Sequence, residues 1–428
     1  MNNDSMNTKY YIQKFFRYNI LGLSTTIIIA FILMSIYSNS GKGDIIVYIY
    51  TVAIVIFELS RITGSFFYNN DNKWKENGYE PTVTFIIPAK NEEDCIAKTI
   101  TKCYQVEYPK NKIEVIVIND GSTDNTLGEI KKVKEIYSDL NIISWEKNKG
   151  KKYAMAAGFN IAKGEIVVQL DSDSYLEKKD LRKLVRPFQD EKIGAVTAHT
   201  DPENKHENII TRAQTAYYFM SFRALKATES LFNVVLCCSG CCSAYRKKII
   251  LPILPAWTEE RFFSIEVPWD DDRSLTNRIL SSGYKTIYLS DVQAYTIVPN
   301  TLKKLIKQQV RWKKCWFVSS VNAAKFIYKT DKYVAITYFY PLIFMTILTP
   351  FIAFKTLIVN PLLYGIYPFF YIFGTFLVGS LFIVHYQFYR NDGNWKYMFL
   401  WNLLEMTILS YLLIYALINL KDIKWGTR

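Results

Sequence analysis

The sequence predicts an α/β fold of the Rossmann type, with a mostly parallel sheet, inserted between membrane-spanning helices. Three observations carry that expectation. Long apolar runs with few or no charges gather near the two ends of the 428-residue chain. Between them, short apolar strands alternate with helical patterns, which implies a sheet covered by helices on both faces. The polar clusters of the middle segment fall at strand ends, where such sheets bind ligands.

Residues 19–37 carry no charge, and about 20 residues suffice to cross a bilayer as a helix. Their polar leader is long and no small-residue cleavage site follows, so they read as a retained helix and not a signal peptide. Residues 45–62 form a second candidate span, with Glu58 and Arg61 near its end. Lys9, Lys14 and Arg17 precede the first span, and basic residues are frequent in the centre. The positive-inside rule then places the N-terminus and the centre in the cytoplasm of a cell-membrane protein, and two spans keep that parity.

The middle reads as strands at "VTFII" (83–87), "IEVIVI" (113–118), "NIISW" (141–145), "EIVVQL" (165–170) and "IGAVTA" (193–198). Neither a G-x-G-x-x-G nor a P-loop is present, so a nucleotide has to be held in another way. The stretch 303–317, "KKLIKQQVRWKKCWF", is basic, aromatic and close to helical spacing, as a membrane-surface helix requires. Residues 209–232 look like another interfacial helix. Three further apolar runs, 333–354, 362–386 and 397–420, bring the expected spans to five. That count puts Lys421, Lys424 and Arg428 outside, so either one C-terminal run is re-entrant or the charge rule fails there. The predicted organisation is 1–68 as leader and two spans, 69–298 as the cytoplasmic domain, 299–332 as interfacial helices, and 333–428 as the C-terminal membrane helices.

The formal net charge of +13 also suits nucleic acid, but anionic lipid explains it equally well. Membrane lipids are the expected partners and nucleic acid is not. Seven cysteines in a mostly cytoplasmic chain argue against a disulfide framework. Four of them, Cys237, Cys238, Cys241 and Cys242, flank Ser239-Gly240 with no second pair at zinc-site spacing.

The acidic clusters carry the chemistry. Asp171 and Asp173 stand two apart at the end of an apolar strand, so both carboxylates can face one site. Together with a nucleotide diphosphate they suit Mg²⁺ or Mn²⁺, because hard cations prefer oxygen ligands. The alternative is a solvated turn. Asp120 in "NDGSTDNT" either bonds a base or ribose or belongs to a turn in which Ser122 caps the next helix. Asp270, Asp271 and Asp272 repel one another, which raises the pKa of one and suits it to a general base. Their other reading is acidic residues favoured by the dipole of the helix that follows.

"DGSTD", "DSD", "DDDR" and "QQVRW", in this order between membrane spans, resemble the family 2 processive glycosyltransferases, which include cellulose, chitin and hyaluronan synthases. The segments "NKGKKYA" (148–154), "VQLDSDSY", "DDRSLTNRIL" and "KQQVRWKKCWF" are similar to the hyaluronan synthase branch. The resemblance covers roughly residues 80–330 and the flanking spans. It implies a GT-A-like domain and a UDP-sugar-dependent hexosyltransferase that extends a growing polysaccharide. It also implies roles: Ala89, Asn91, Glu92 and Asp120 at the uridine, Lys151 near the diphosphate, Asp171 on the nucleotide and Asp173 on the metal. Asp272 matches the general base with Asp271 beside it. Cys238, Ser239 and Gly240 match the acceptor pocket, and Gln308, Arg311 and Trp312 close over donor and acceptor.

Two departures bear on the sugar. Asp270 stands where the hyaluronan branch usually has glycine, and Cys241-Cys242 where it tends to have proline and an aliphatic residue. The resemblance favours UDP-GlcNAc and UDP-glucuronate as donors. It leaves a glucose–glucuronate capsule, a chitin-like chain and, in another class, a single-addition transferase acting on a lipid carrier as alternatives.

Overall fold

The computed structural model describes residues 44–69, 73–74, 78–390 and 392–422, without the side chain of Phe370. The expected first span, 19–37, lies outside them. The described chain opens with α1 (Ile45–Phe67), capped by Asp44, whose carboxylate accepts from the Ile46 amide at 3.2 Å.

The α/β domain is built on one eight-stranded sheet. In chain order its strands are β1 (Val83–Ala89), β2 (Ile113–Asp120), β3 (Asn141–Trp145), β4 (Ile166–Gln169), β5 (Tyr175–Leu176), β6 (Ile193–Pro202), β7 (Ser243–Arg246) and β8 (Lys285–Thr296). In space they run β3-β2-β1-β4-β7-β6-β8-β5. The first four are mutually parallel and β6 is parallel to β8. β7 is antiparallel to both its neighbours, and β5 is antiparallel to β8.

The five strands read from the sequence are present, and β5, β7 and β8 were missed. The reasons are local. β7 has four residues and includes Ser243 and Arg246, so it carries no apolar run. β8 is interrupted by Ser290-Asp291, and its register against β6 shifts between Leu289 and Gln293. A bulge of this kind breaks the two-residue period.

Alternation sorts β1 and β2 onto two cores. Phe85, Ile87, Val115 and Val117 pack with Ile100 of α2 (Ile96–Tyr104) and Ile130 of α3 (Thr126–Ile136). Ile86, Ile116 and Ile118 pack with Met155 and Phe159 of α4 (Lys151–Ile161) and with Trp257. Fully buried parallel strands need this cover on both faces.

The long helix predicted at 209–232 starts as α5 (Ile209–Phe219), with Asn208 and Thr211 capping each other's backbone amides. It passes through a wider π-type turn, Met220–Lys226, and ends at Leu231. Then come α6 (Asp272–Ser281) and the amphipathic α7 (Leu302–Ala324). Three apolar helices follow: α8 (Lys332–Tyr364), α9 (Phe369–Tyr389) and α10 (Asn394–Ile418). The break between α8 and α9 falls at 365–368, where Gly365 takes a φ of 63°, so residues 362–364, expected to open a new span, finish α8 instead.

Among the described residues, four helices, α1, α8, α9 and α10, are long and apolar enough to cross a membrane. At one end of the helix cluster Asp44 pairs with Lys355 at 2.6 Å and with Asn360. At the other end Tyr68, just after α1, donates to the Tyr288 carbonyl of β8 at 2.7 Å. α10 differs from the other three. Tyr397 near its start lies against Arg212 of α5, while beyond its end the Asp422 carbonyl accepts from Lys314 of α7 at 3.0 Å. Both ends therefore lie on the side of the α/β domain. The helix widens at Glu405–Leu409, and a turn at 410–411 precedes its last segment, Leu412–Ile418.

A buried cluster fastens α9 to the sheet. Arg390, one residue past α9, donates to both carboxylate oxygens of Asp201 on β6 and, at 3.0 Å, contacts Nε2 of His199. Gln293 of β8 adds a bond to Asp201 at 3.1 Å, and Tyr288 meets the other nitrogen of His199 at 2.7 Å. Burial keeps His199 neutral down to about 4. Against the cost of burial, His199 and Arg390 hold Asp201 well below the usual carboxylate range.

Candidate functional site

A cavity of about 530 Å³ begins at the carboxyl end of the sheet and continues between α1, α5 and α7–α10. Its sheet end is lined by Lys151, Asp171, Gly240, Asp271, Asp272 and Arg311. Its membrane end is lined by Tyr50, Glu58, Thr349, Tyr371, Asn402 and Glu405. The π-type turn of the α5 helix opens toward it through Met220, Ser221, Phe222, Leu225 and Lys226.

Lys151 is the first residue of α4, and its ammonium lies 2.6 Å from Asp171 Oδ1 and 2.5 Å from Asp271 Oδ2. This pairing separates the adjacent carboxyls. Burial opposes ionisation of Asp271, but Lys151 and Arg311 overcome it and hold the group below its usual range. Burial and the charge on Asp271 push Asp272 the other way, above that range. Asp272 Oδ1 accepts from the Arg273 amide at 2.8 Å, and Oδ2 faces the Gly240 amide at 3.3 Å and the Cys237 thiol at 3.6 Å. Two neighbouring carboxyls driven apart in this way divide into a fixed anion and a proton acceptor. Asp270 turns away from the cavity: Oδ2 accepts from Ser319 of α7 at 2.5 Å, and Oδ1 is buried without a partner. Burial and Glu260 push its pKa up to about 8. Two of the three aspartates are thus raised, where repulsion alone predicted one.

The cysteine loop supplies backbone, not sulfur chemistry. The Gly240 carbonyl accepts from the Asp171 amide at 3.1 Å while its own amide faces Asp272, so this residue links the two acidic clusters. A Cβ here would sit 3.1 Å from both Asp171 Oδ1 and Lys151 Nζ, tighter than ordinary contact. Gly240→Ala is expected to lower kcat/KM roughly tenfold, corresponding to about 1–2 kcal/mol of lost geometry. Steady-state kinetics with a melting curve beside them checks this; an unchanged kcat/KM would contradict it. Cys237, Ser239 and Cys241 line the cavity. Cys238, matched to the acceptor pocket by the resemblance, is fully buried, packs with Ile86, Tyr245 and Trp257, and is not part of the lining. The adjacent cysteines point to opposite sides, which puts Cys237 at the wall in its place. All seven cysteines are free thiols.

Asp120 holds the loop that carries Lys151. Its carboxylate accepts from the amides of Lys149 at 2.6 Å and Gly150 at 2.9 Å. Gly121 beside it has a φ of 63°, and a Cβ would come within 2.5 Å of the backbone of Lys147 and Asn148. Ser122 does not cap α3 as expected. Its hydroxyl accepts from the Asn91 amide at 3.0 Å, and Asp124 accepts from the first-turn amide of Thr126. Asn91 (φ 55°) accepts from Thr123, and the Glu92 amide donates to Thr126. These bonds stitch the segment Ala89–Glu92 to the one after Asp120, as the Ala89–Asn119 register requires.

β4 stops at Gln169, so Asp171 and Asp173 lie in a turn and not on one strand. The Ser174 amide closes that turn on the Asp171 carbonyl at 3.0 Å. Asp171 lines the cavity and Asp173 lies beyond the lining, its Oδ1 meeting Ser174 Oγ at 3.1 Å and Thr296 Oγ1 at 3.3 Å. On α7, Arg311 and Trp312 reach the cavity with Gln309, whereas Gln308 is buried elsewhere with its Oε1 unpartnered. Trp312 stands 6.5 Å from the rings of Tyr217 and Tyr218, and Tyr217 stacks on Trp401 at 4.2 Å. The sequence reading did not place Arg273, Lys226, Tyr217 or the membrane-end residues at the site. Glu58 gave the available signal, because a charge inside an apolar span marks a functional position more often than a lipid-facing one.

Residues 84–253 match the model of glycosyl transferase family 2. A hyaluronan synthase of Streptococcus pyogenes is 29% identical over 418 residues, covering 94% of this chain and 97% of that protein. An N-acetylglucosaminyltransferase of Mesorhizobium japonicum is 30% identical over 251 residues, covering 57% of this chain and 58% of its own. Among solved structures, a mannosyltransferase from Pyrobaculum calidifontis in complex with GDP-Man and Mn²⁺ superposes with a TM-score of 0.53 over 88% of this chain and 100% of its own, at 17% identity. That last likeness is one of fold and supports the GT-A-like architecture.

Proposed function

We propose, from the premise that this chain is a membrane glycosyltransferase carrying a family 2 domain, that it polymerises UDP-sugars into a β-linked polysaccharide and passes the product across the membrane. The observation that carries this reading is the continuity of the cavity from Asp272 to Tyr50, Glu58 and Tyr371 between apolar helices. A transferase that adds one sugar and releases its product has no need of such a path. UDP-GlcNAc and UDP-glucuronate are the first donor pair to test, because the streptococcal relative matches along nearly the whole chain.

In this mechanism Asp272 takes the proton from the acceptor hydroxyl, whose oxygen attacks the anomeric carbon of the donor. The bond from that carbon to the diphosphate oxygen breaks, the electron pair leaves with UDP, and a single displacement turns the α-linked donor into a β-link. Asp271 stays ionised beside Lys151. Lys151 and Arg311 face the charge that develops on the leaving diphosphate. Trp312, Tyr217 and Tyr218 offer aromatic faces to the sugar rings of the acceptor.

Asp173 would hold Mg²⁺ or Mn²⁺. Its turn is rich in the hard oxygen donors that such cations select. Among the described residues no three His, Cys, Asp or Glu side chains converge on one point. That fits a cation taking most of its ligands from phosphate and water. When bound, the cation supplies further neutralisation of the diphosphate. The α/β domain lies in the cytoplasm in this reading, with α1, α8 and α9 crossing the membrane and α10 returning.

The test is UDP release by the purified full chain with Mg²⁺ or Mn²⁺, across UDP-sugars singly and in pairs, with product size read on a gel. The expected result is long polymer formed only when UDP-GlcNAc and UDP-glucuronate are both present, and cleaved by hyaluronidase. Long product from UDP-GlcNAc alone would assign a chitin-like chain, a reading supported by the rhizobial relative. A single-sugar product would overturn polymerisation.

A further inference from the structure

We propose that Thr296 is a positioning residue that aims the Asp173 carboxylate at the divalent cation; this rests on the reading of Asp173 given above. Thr296 ends β8 and is 4% exposed. Its place is fixed through the backbone: its carbonyl accepts from the Glu203 amide at 2.8 Å, and it stands in register with Pro202. Its hydroxyl lies 3.3 Å from Asp173 Oδ1 and 2.9 Å from Ser174 Oγ, which is itself 3.1 Å from the same carboxylate oxygen.

The hydrogens in this triangle are limited. An ionised carboxylate only accepts, and each hydroxyl has one proton to give. Ser174 cannot donate to both of its neighbours at once. With Ser174 donating to Thr296, the Thr296 proton is directed at Asp173 Oδ1. Ser174 sits in the same turn as Asp173 and moves with it, whereas Thr296 ties that carboxylate to the sheet.

Groups that orient a metal ligand typically alter metal affinity ten- to hundredfold when removed. The test is Mn²⁺ binding to the full chain in detergent with UDP present, followed by the electron paramagnetic resonance signal of free Mn²⁺. Thr296→Val keeps the shape and removes the donor; its Kd for Mn²⁺ is expected to rise roughly ten- to hundredfold. Thr296→Ser restores the donor and should return Kd to near wild type. A residue that merely fills space would lower the melting temperature in Thr296→Val and leave the Kd unmoved, and that result overturns the proposal. If Thr296→Val does not fold, Thr296→Ala carries the same comparison. Wild-type protein that binds no Mn²⁺ with UDP overturns the reading of Asp173 and this inference together. Wild-type binding that Asp173→Asn abolishes and Thr296→Val leaves unchanged overturns only the inference.

Discussion

Replacing Asp272 with asparagine is expected to lower kcat by about 10²- to 10⁴-fold, the range that a positioned general base contributes. The protein should remain folded. Asp272 is half-buried at the cavity wall, and desolvation together with its neighbour Asp271 already disfavours its charge. Neutralising a carboxyl held in that state relieves the folded protein, so the melting temperature is expected at or above that of wild type. Asp271→Asn removes a carboxylate that Lys151 and Arg311 stabilise, and it should cost stability as well as activity. UDP release and thermal melting on both variants separate the roles. Equal loss of rate in the two, with equal loss of stability, would argue against assigning the base to Asp272. The pH profile gives a second reading of the same group. A base must be ionised to act, so the rate falls as pH drops through its pKa. Because that pKa is raised, the acid limb of kcat should lie above the value near 3.9 of an ordinary aspartate.

The second large effect is expected far from the chemistry. Arg390→Ala leaves the Asp201 carboxylate buried without the guanidinium that bonds both its oxygens. Breaking a buried pair from one side typically costs about 3–5 kcal/mol. Thermal melting in detergent should register it as a large drop, with α9 loosened from β6 and β8. Replacing both partners by apolar residues of similar volume should recover much of the loss, since a buried pair is worth little over good packing. A single variant that melts like wild type would show that the cluster does not fasten the helix.

The parallel half of the sheet was legible because β1, β2 and β4 are apolar runs closed by polar residues, a pattern set by burial on both faces. β8 was not, because its register depends on a bulge at Ser290-Asp291 that only pairing with β6 makes favourable. The acidic positions were visible as residue types, but their division of labour was not. Which of three consecutive aspartates keeps its proton is decided by Lys151, 119 positions before Asp270 in the chain, and by burial beside Glu260, ten positions before it. The cysteine loop was misread by one residue: Cys238 is drawn into the core by Trp257 and Tyr245, and Cys237 is left at the wall. α10 shows the limit of hydropathy as a guide. Its composition is that of a crossing helix, yet Tyr397 near its start contacts Arg212 of α5 and Asp422 beyond its end contacts Lys314 of α7.

The two short pairs made by Lys151 bear on how the site empties. A diphosphate entering beside this ammonium meets a cation already shared by Asp171 and Asp271. Its net attraction is the difference between the old pairs and the new one, which is much smaller than either alone. When UDP departs, the carboxylates are in place to take the ammonium back, so the resting enzyme carries no stranded charge. In the proposed reading, an enzyme that grips its chain through many additions also has to discard a highly charged by-product after each one. A lysine that never lacks a counter-ion makes the by-product easy to lose without loosening the hold on the chain.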